Sequence, residues 1–357
     1  MKIYFVVNEP SERTLNHFVS SLGNALVKQG CEVVYGLRRL WTDKVMECDI
    51  VHFQWPEFIF GSQKQNLLED DVVCLEHRLG QLKERGIRLF VQVHNLRPHT
   101  IKNRGVLRLY DVVYSHADII VHLGQCSCDL LHSQYPNARH VVIPHHIYDN
   151  MLSFSISRQD ARKRLHLPED KAVVLSFGKF RNEKERHFVL FLRHHFAFSV
   201  LFLTPGFYRE TLHTWNPRKL IRRLYRTIRY RMAGIHFCNE VISDDLMQCY
   251  FCAADVVLIQ RLDILNSGNL PMAFAAGKVV VGPDVGNVGQ ILRETGNFTF
   301  DPQHLESAVD ALQKALRSTL IGEQNKAYAS VHWSSDIIAV QLLRYYQHIK
   351  YENHENS

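Results

Sequence analysis

The stretch VQVHNLRPH, Val91–His99, joins the end of an apolar run to two imidazoles, an amide and a guanidinium. Imidazoles move protons near neutral pH, and a guanidinium offers a planar fork to phosphate or carboxylate oxygens. The same residue types recur where other apolar runs stop. His52, Gln54, Trp55 and Glu57 follow DIV, His122 follows DIIV, and His145 and His146 follow VVIP. Each histidine alone reads as a satisfied structural residue as readily as a functional one. Together, in a chain with 21 histidines, they point to one polar cleft.

A second group is basic. VVLSFGKFRNEKER sets Gly178 at the end of an apolar run, with Lys179, Arg181 and Lys184 directly after it. Further on, DILNSGNLPMAFAAGK places Asn266, Ser267, Gly268 and Asn269 before an apolar helical run. A Ser or Asn there is expected to cap the helix, leaving amide groups and the helix dipole to attract an anion. The two segments together make a diphosphate site in two parts. A dinucleotide dehydrogenase would carry G-x-G-x-x-G after its first strand; VVNEPSER at that point has no glycine, which disfavours an oxidoreductase. The eight cysteines lack paired C-x-x-C spacing. Cys249 and Cys252 form one isolated pair on a helix, so core thiols are expected and no metal site.

Positioning such residues requires a frame that collects strand ends along one edge. A chain of 357 residues suits two α/β domains, and 46% hydrophobic with 22% charged residues supplies full cores and excludes disorder. KIYFVV, CEVVYG, DIVHFQW, IRLFVQV, ADIIVHL and ARHVVIPHH alternate with helical patterns over residues 1–150. After a polar stretch, Ile147–Lys171, read as a linker with one helix, the alternation restarts. AVVLSFG, FSVLFLT, GIHFCN, ADVVLIQ, KVVVGP and NFTF mark a second domain over 165–330, and a closing segment, 331–357, carries a last helix. Such alternation specifies parallel sheets with both faces covered by helices. Sites in these sheets lie beyond the carboxyl ends of the strands.

In these segments the chain resembles glycosyltransferases of the GT-B fold, and specifically family-4-type nucleotide-sugar transferases of bacterial surface-polysaccharide and glycolipid pathways. The matching stretches include DIVHFQWPE, VQVHNLRPH, VIPHHIYDN, VVLSFGKFRNEKE and DILNSGNLPMAFAAGKVVVGPD, and they run in the expected order over nearly the whole chain. The resemblance implies two Rossmann-like domains facing an interdomain cleft, the first binding the acceptor and the second the nucleotide-sugar, with the C-terminal helix crossing back to the first. By that resemblance Arg181 and Lys184 hold the donor diphosphate, Gly178 and the Asn266–Asn269 turn complete the donor site, and His94 lies near the donor sugar. Trp55, Asn95, Arg97 and His145 fall on the acceptor side. An inverting enzyme needs a general base, for which Glu57 and His99 are the candidates; in a retaining enzyme the leaving phosphate takes the proton. Fixed cations and helix amides stand in for a metal, and no cofactor is implied. Many members carry a pair of glutamates around the phosphate-binding helix, where this chain has Ile264 and Met272. The implied activity is transfer of a sugar from a UDP- or GDP-linked donor to a lipid-linked or glycan acceptor. The alternative is a catalytically inactive GT-B partner or glycan-binding subunit.

The net charge of +6 is concentrated in WNPRKLIRRLYRTIRYRM, Trp215–Met232, with seven Lys/Arg and no acid. Leu220, Ile221, Leu224, Tyr225 and Ile228 recur there at helical spacing. Such a helix either lies on an anionic membrane surface or packs its apolar stripe on the domain. No nucleic-acid recognition motif accompanies it. With no apolar span long enough for a bilayer and no signal h-region at the start, the expected location is cytoplasmic, peripheral at the inner face of the membrane.

Overall fold

The computed structural model describes all residues except 11–15, 62–66, 98–103, 197–198, 208–216, 238–241, 319 and 352–357. Its strands are β1 (Lys2–Val6), β2 (Glu32–Val34), β3 (Ile50–Phe53), β4 (Arg88–Val93), β5 (Ile119–His122), β6 (Arg139–Val142), β7 (Ala172–Leu175), β8 (Val200–Leu203), β9 (Ile235–His236), β10 (Val256–Leu258), β11 (Val279–Pro283) and β12 (Phe298–Phe300). Every strand falls in one of the twelve apolar runs read from the sequence. The helices are α1 (His17–Lys28), α2 (Glu69–Glu84), α3 (Arg104–His116), α4 (Gln125–His132), α5 (Arg158–Arg164), α6 (Glu183–Phe196), α7 (Pro217–Met232), α8 (Asp244–Ala253), α9 (Asn269–Ala275), α10 (Gly286–Glu294), α11 (Glu306–Arg317), α12 (Leu320–His332) and α13 (Ser335–Tyr351).

Two compact units result, one of Met1–Met151 together with the segment from His332 onward, the other of Leu152–Val331. The first holds a six-stranded parallel sheet in the order β2-β1-β3-β4-β5-β6, the second one in the order β12-β11-β10-β7-β8-β9. Read from its other edge, the second sheet has the strand order of a dinucleotide-binding Rossmann fold, with its topological switch between β7 and β10. In the first sheet the order reverses between β1 and β3. Central strands such as β3 and β5 are buried at every position, as parallel strands covered on both faces must be. The second unit closes around Phe188, Phe202, Phe207, Val256, Val281, Phe300 and Leu312.

The polar stretch read as a linker is divided: its first residues, Ile147–Met151, belong to the first unit, and the rest, from Leu152, is built into the second. Its α5 carries Arg162, whose side chain is fully buried. The guanidinium donates to the carbonyls of Ala253, Pro168, Glu169 and Lys171 and to Asp255 Oδ2 at 2.6 Å. Asp255 also accepts the amide of Val173 at the start of β7. One side chain thus ties α5 to the first strand of the second sheet.

The C-terminal helix belongs to the first unit, where α13 packs against α1. Ile338, Ala339, Leu342 and Tyr346 form its buried stripe. His52, on β3, is fully buried and its Nδ1 lies 2.6 Å from the Tyr346 hydroxyl. This histidine therefore anchors a helix; burial pushes its pKa down to about 3, so it stays neutral.

Candidate functional site

In the second unit the carboxyl ends of β7 and β10 flank the switch point, where open α/β sheets bind ligands. Beyond β7 the chain turns at Gly178 with φ of +93°, a conformation that favours glycine. Gly206 passes so close to this turn that a Cβ there would fall 2.0 Å from the Gly178 carbonyl oxygen. The turn delivers Lys179, Arg181 and Lys184, all exposed. Lys184 lies in the first turn of α6.

What fixes this loop was not singled out in the sequence. Glu185 is 3% exposed; its carboxylate accepts the Arg181 backbone amide at 2.8 Å and both bonds from Arg261 Nη1 at 3.0 Å. Arg261, beyond β10, also donates from Nη2 to the Lys179 carbonyl at 2.7 Å. The two strand ends at the switch point are thereby cross-braced. Partial desolvation, and then the neighbouring Arg261 guanidinium, lower the Arg181 pKa. Converging cations of this kind, on a loop held by its own hydrogen bonds, favour an anion without rearrangement. The motif signal for Arg261 was present in the run LIQRLD, a charged residue just past a strand end.

The Asn266–Asn269 turn is built differently from the expectation. The residue at the helix cap is Gly268, and it makes no side-chain cap bond. The amide of Asn269 is taken by Ser267 Oγ at 3.3 Å and that of Leu270 by the Ser267 carbonyl at 3.2 Å. Pro271 follows, with no N–H to offer. The first turn of α9 therefore has few amides left for a phosphate. Asn269 Nδ2 donates to the Phe177 carbonyl and Asn266 Oδ1 accepts from Asn287, each at 2.8 Å. The first bond joins α9 to the β7 turn, and the second joins α10 to the turn before α9. Ile264 and Met272 are both buried and apolar, and place no carboxylate in the neighbourhood.

In the first unit the ends of β3 and β4 come together. His94 stacks on Trp55 with ring centroids 4.2 Å apart and planes at 15°, and its Nε2 lies 3.0 Å from Gln54 Oε1. A carbonyl oxygen only accepts, so Nε2 carries the hydrogen and Nδ1 is the ring's basic nitrogen. Phe18, the second residue of α1, presents its edge to His94 at 4.7 Å and to His145 at 4.8 Å, and stacks on His146 at 4.8 Å. This phenylalanine, hidden in the sequence as one apolar position of a helical pattern, is the hub that gathers the histidines.

His145 Nδ1 donates to the His146 carbonyl at 2.8 Å, so its Nε2 accepts from the Tyr148 hydroxyl at 3.1 Å. Tyr148 holds a φ of +61°, a strained value for a non-glycine residue. Desolvation pushes His145 down to about 4 despite its bond to the His146 carbonyl. Desolvation first, then the neighbouring imidazoles, hold His94 well below the usual histidine range. Both rings are neutral at pH 7. His146 is fully buried, with Nε2 on the Phe18 carbonyl at 3.0 Å, and is structural.

Several expected members are not in this group. Glu57 is buried, and its Oε2 accepts from the Tyr110 hydroxyl on α3 at 2.5 Å. Burial raises its pKa. It ties the turn after β3 to α3, so the general-base candidate is an internal carboxylate. His122 is fully buried and engaged with Ser127 and His140. Arg97 is exposed, and its charge is felt at the Tyr135 phenol. Asn95 is half-buried. His99 lies outside the described residues.

No protein-family model matches the sequence, and no curated protein resembles it closely enough to count as a relative. Solved structures do match. Sucrose-phosphate synthase of Thermosynechococcus elongatus aligns over 98% of this chain and 98% of its own, with a TM-score of 0.72 and 14% identity. The Anabaena protein HepE in complex with UDP-glucose gives a TM-score of 0.67 at 14% identity over 96% of this chain and 98% of its own. The catalytic domain of starch synthase IV of Arabidopsis thaliana, bound to ADP and acarbose, gives 0.68 at 10% identity over 98% and 99%. The fold is GT-B. All three comparisons run through both six-stranded sheets of the GT-B chain.

Proposed function

We propose that this GT-B chain is a glycosyltransferase that moves a sugar from a nucleoside diphosphate to a lipid-linked or glycan acceptor. The observation that carries this reading is the braced cationic loop Gly178–Lys184 at the switch point of a sheet with Rossmann strand order. Departure of a nucleoside diphosphate develops negative charge, and prearranged cations stabilise it without reorganisation. Arg181 and Lys184 serve as the diphosphate ligands, with Arg261 and Glu185 as positioning residues. Structural likeness to proteins determined with UDP-glucose and with ADP supports a nucleotide-linked donor. The second unit takes the donor and the first the acceptor, with Trp55 as a stacking platform and neutral His94 stacked against it. UDP- and GDP-sugars are the donors to test first, and the pathway is that of a family-4-type enzyme of bacterial surface polysaccharide.

The exposed stripe of α7 supports an acceptor held at a membrane. Leu220, Ile221, Leu224, Tyr225, Ile228 and Met232 are 50% to 82% exposed, so the apolar stripe is not spent on packing within the second unit. Among the described side chains of this helix, only Tyr230 is buried. An uncovered apolar stripe flanked by Arg222 and Arg229 suits the headgroup region of an anionic leaflet. No helix among the described residues is long and apolar enough to cross a membrane; the attachment proposed is a peripheral one through α7.

Turnover tests this reading. The chain is incubated with UDP- and GDP-sugars and extracted acceptor lipids in EDTA, and product formation is expected. Activity that EDTA abolishes and Mg²⁺ or Mn²⁺ restores would contradict donor binding by fixed cations. A second reading, a catalytically inactive GT-B partner that binds glycans, is favoured by the buried Glu57 and by the apolar Ile264 and Met272. Nucleotide binding separates the two, since a glycan-binding subunit needs none.

A further inference from the structure

Away from the His94 group, on the face of the first sheet beneath α4, three side chains converge. His122 closes β5, Cys128 lies on α4 and His140 on β6; one donor atom of each comes within 4.8 Å of the others. His122 Nε2 is 2.9 Å from His140 Nδ1. The outer nitrogens of both rings are held from behind. His140 Nε2 lies 3.0 Å from the Tyr135 carbonyl oxygen, which only accepts, so Nε2 carries the hydrogen and Nδ1 turns a lone pair inward. His122 Nδ1 lies 3.1 Å from Ser127 Oγ, whose hydroxyl donates to the Gly124 carbonyl at 2.9 Å.

A neutral His122 meets both contacts with its hydrogen on Nε2, donated to His140 Nδ1, and the rotatable Ser127 hydroxyl turned from Gly124 to donate to Nδ1. With the hydrogen on Nδ1 instead, donated to Ser127 Oγ, the inner lone pairs of the two rings face each other at 2.9 Å. That second tautomer is the one suited to an ion: both inner lone pairs bind it, while the outer N–H groups donate to Ser127 and to Tyr135, the arrangement that orients imidazole ligands around metals.

We propose that His122 Nε2, Cys128 Sγ and His140 Nδ1 bind a divalent transition metal, with Zn²⁺ the ion best suited to a two-imidazole, one-thiolate set. Binding releases the thiol proton to solvent, and the imidazoles enter neutral. His132, one turn after Cys128 on the same helix, has its ring 5.0 Å from that of His140 but is not one of the three converging ligands. The ion pins α4 to β5 and β6. This reverses the sequence expectation of no metal site, which looked for paired cysteines where the spacing is His-x₅-Cys-x₁₁-His.

The test uses the full chain, stripped with chelator and kept reduced, titrated with Co²⁺ and then Zn²⁺. A thiolate-to-cobalt charge-transfer band that saturates at one equivalent and is bleached by Zn²⁺ is expected. Cys128→Ser should abolish the band and Cys126→Ser should keep it, while His140→Ala should weaken Zn²⁺ binding by at least about tenfold. Zn²⁺ should raise the melting temperature of the wild-type chain and of Cys126→Ser only, a readout that does not depend on turnover. No band in the wild-type chain, or an unchanged band in a folded Cys128→Ser, would overturn the proposal.

Discussion

The donor grip and the histidine group make separable claims about single side chains. Loss of a charged hydrogen bond to phosphate costs about 1.5–3 kcal/mol, so Arg181→Ala should weaken nucleoside diphosphate binding by roughly 10- to 150-fold. His94→Ala should leave that binding near its original strength and lower kcat instead; full turnover in this variant would reduce the Trp55–His94 stack to a structural feature. Glu185 offers a sharper distinction. If it acted only as a negative charge near the phosphates, Glu185→Gln would tighten nucleotide binding. Because it holds the Arg181 amide and the Arg261 guanidinium, the expected result is binding weaker by about tenfold, or about 1.4 kcal/mol, measured by calorimetric titration. Residue types at strand ends were legible in the sequence, but their partners were not. Nothing in DIVHFQWPE reveals that Glu57 meets a tyrosine from a helix far along the chain, and a cap assigned to Ser or Asn misses the proline that removes the next amide.

Among the elements, α5 and α7 carry opposite expectations. Arg162 is buried and satisfies four backbone carbonyls as well as Asp255. Removing one partner of such a network leaves buried polar groups without bonds, so Arg162→Met should destabilise the second unit by about 3–5 kcal/mol, read as an earlier urea transition; a shift near zero would mean that α5 contributes little. Substituting Leu220 and Leu224 by Ser should leave stability unchanged, because both side chains are exposed, yet should reduce sedimentation with anionic vesicles, and the wild-type chain should bind neutral vesicles weakly. Equal binding of both proteins would remove α7 from the membrane. Strands were the most legible elements, since burial on both faces turns each into an unbroken apolar run such as IIV or VVV. Helix α7 was legible as amphipathic, but whether its stripe was covered depended on tertiary structure, as did the incorporation of α5 into the second unit.

For the molecule as a whole, the sequence carried the alternation of strands and helices and hence two parallel sheets, but not the order of the strands, which depends on crossovers that leave no local trace. That order matters most here, because it puts the ends of β7 and β10 side by side. The same architecture buries histidines in neutral form. His52 and His145 have folded pKa values of about 3 and about 4, below the unfolded value near 6.5. Between those limits the unfolded chain binds more protons, so stability is fully present above about pH 6.5 and falls as the pH drops toward 4. Each such histidine adds a slope of up to about 1.4 kcal/mol per pH unit, which denaturant titrations at pH 7 and pH 5 would resolve. The central claim, that the second unit is a nucleotide-sugar site, is tested most directly by titrating UDP and GDP against the wild-type chain and Arg181→Ala. Saturable binding of one nucleotide by the wild-type chain, weakened at least tenfold in a folded Arg181→Ala, is the predicted result. No binding of either nucleotide, or equal binding by both proteins, would contradict it.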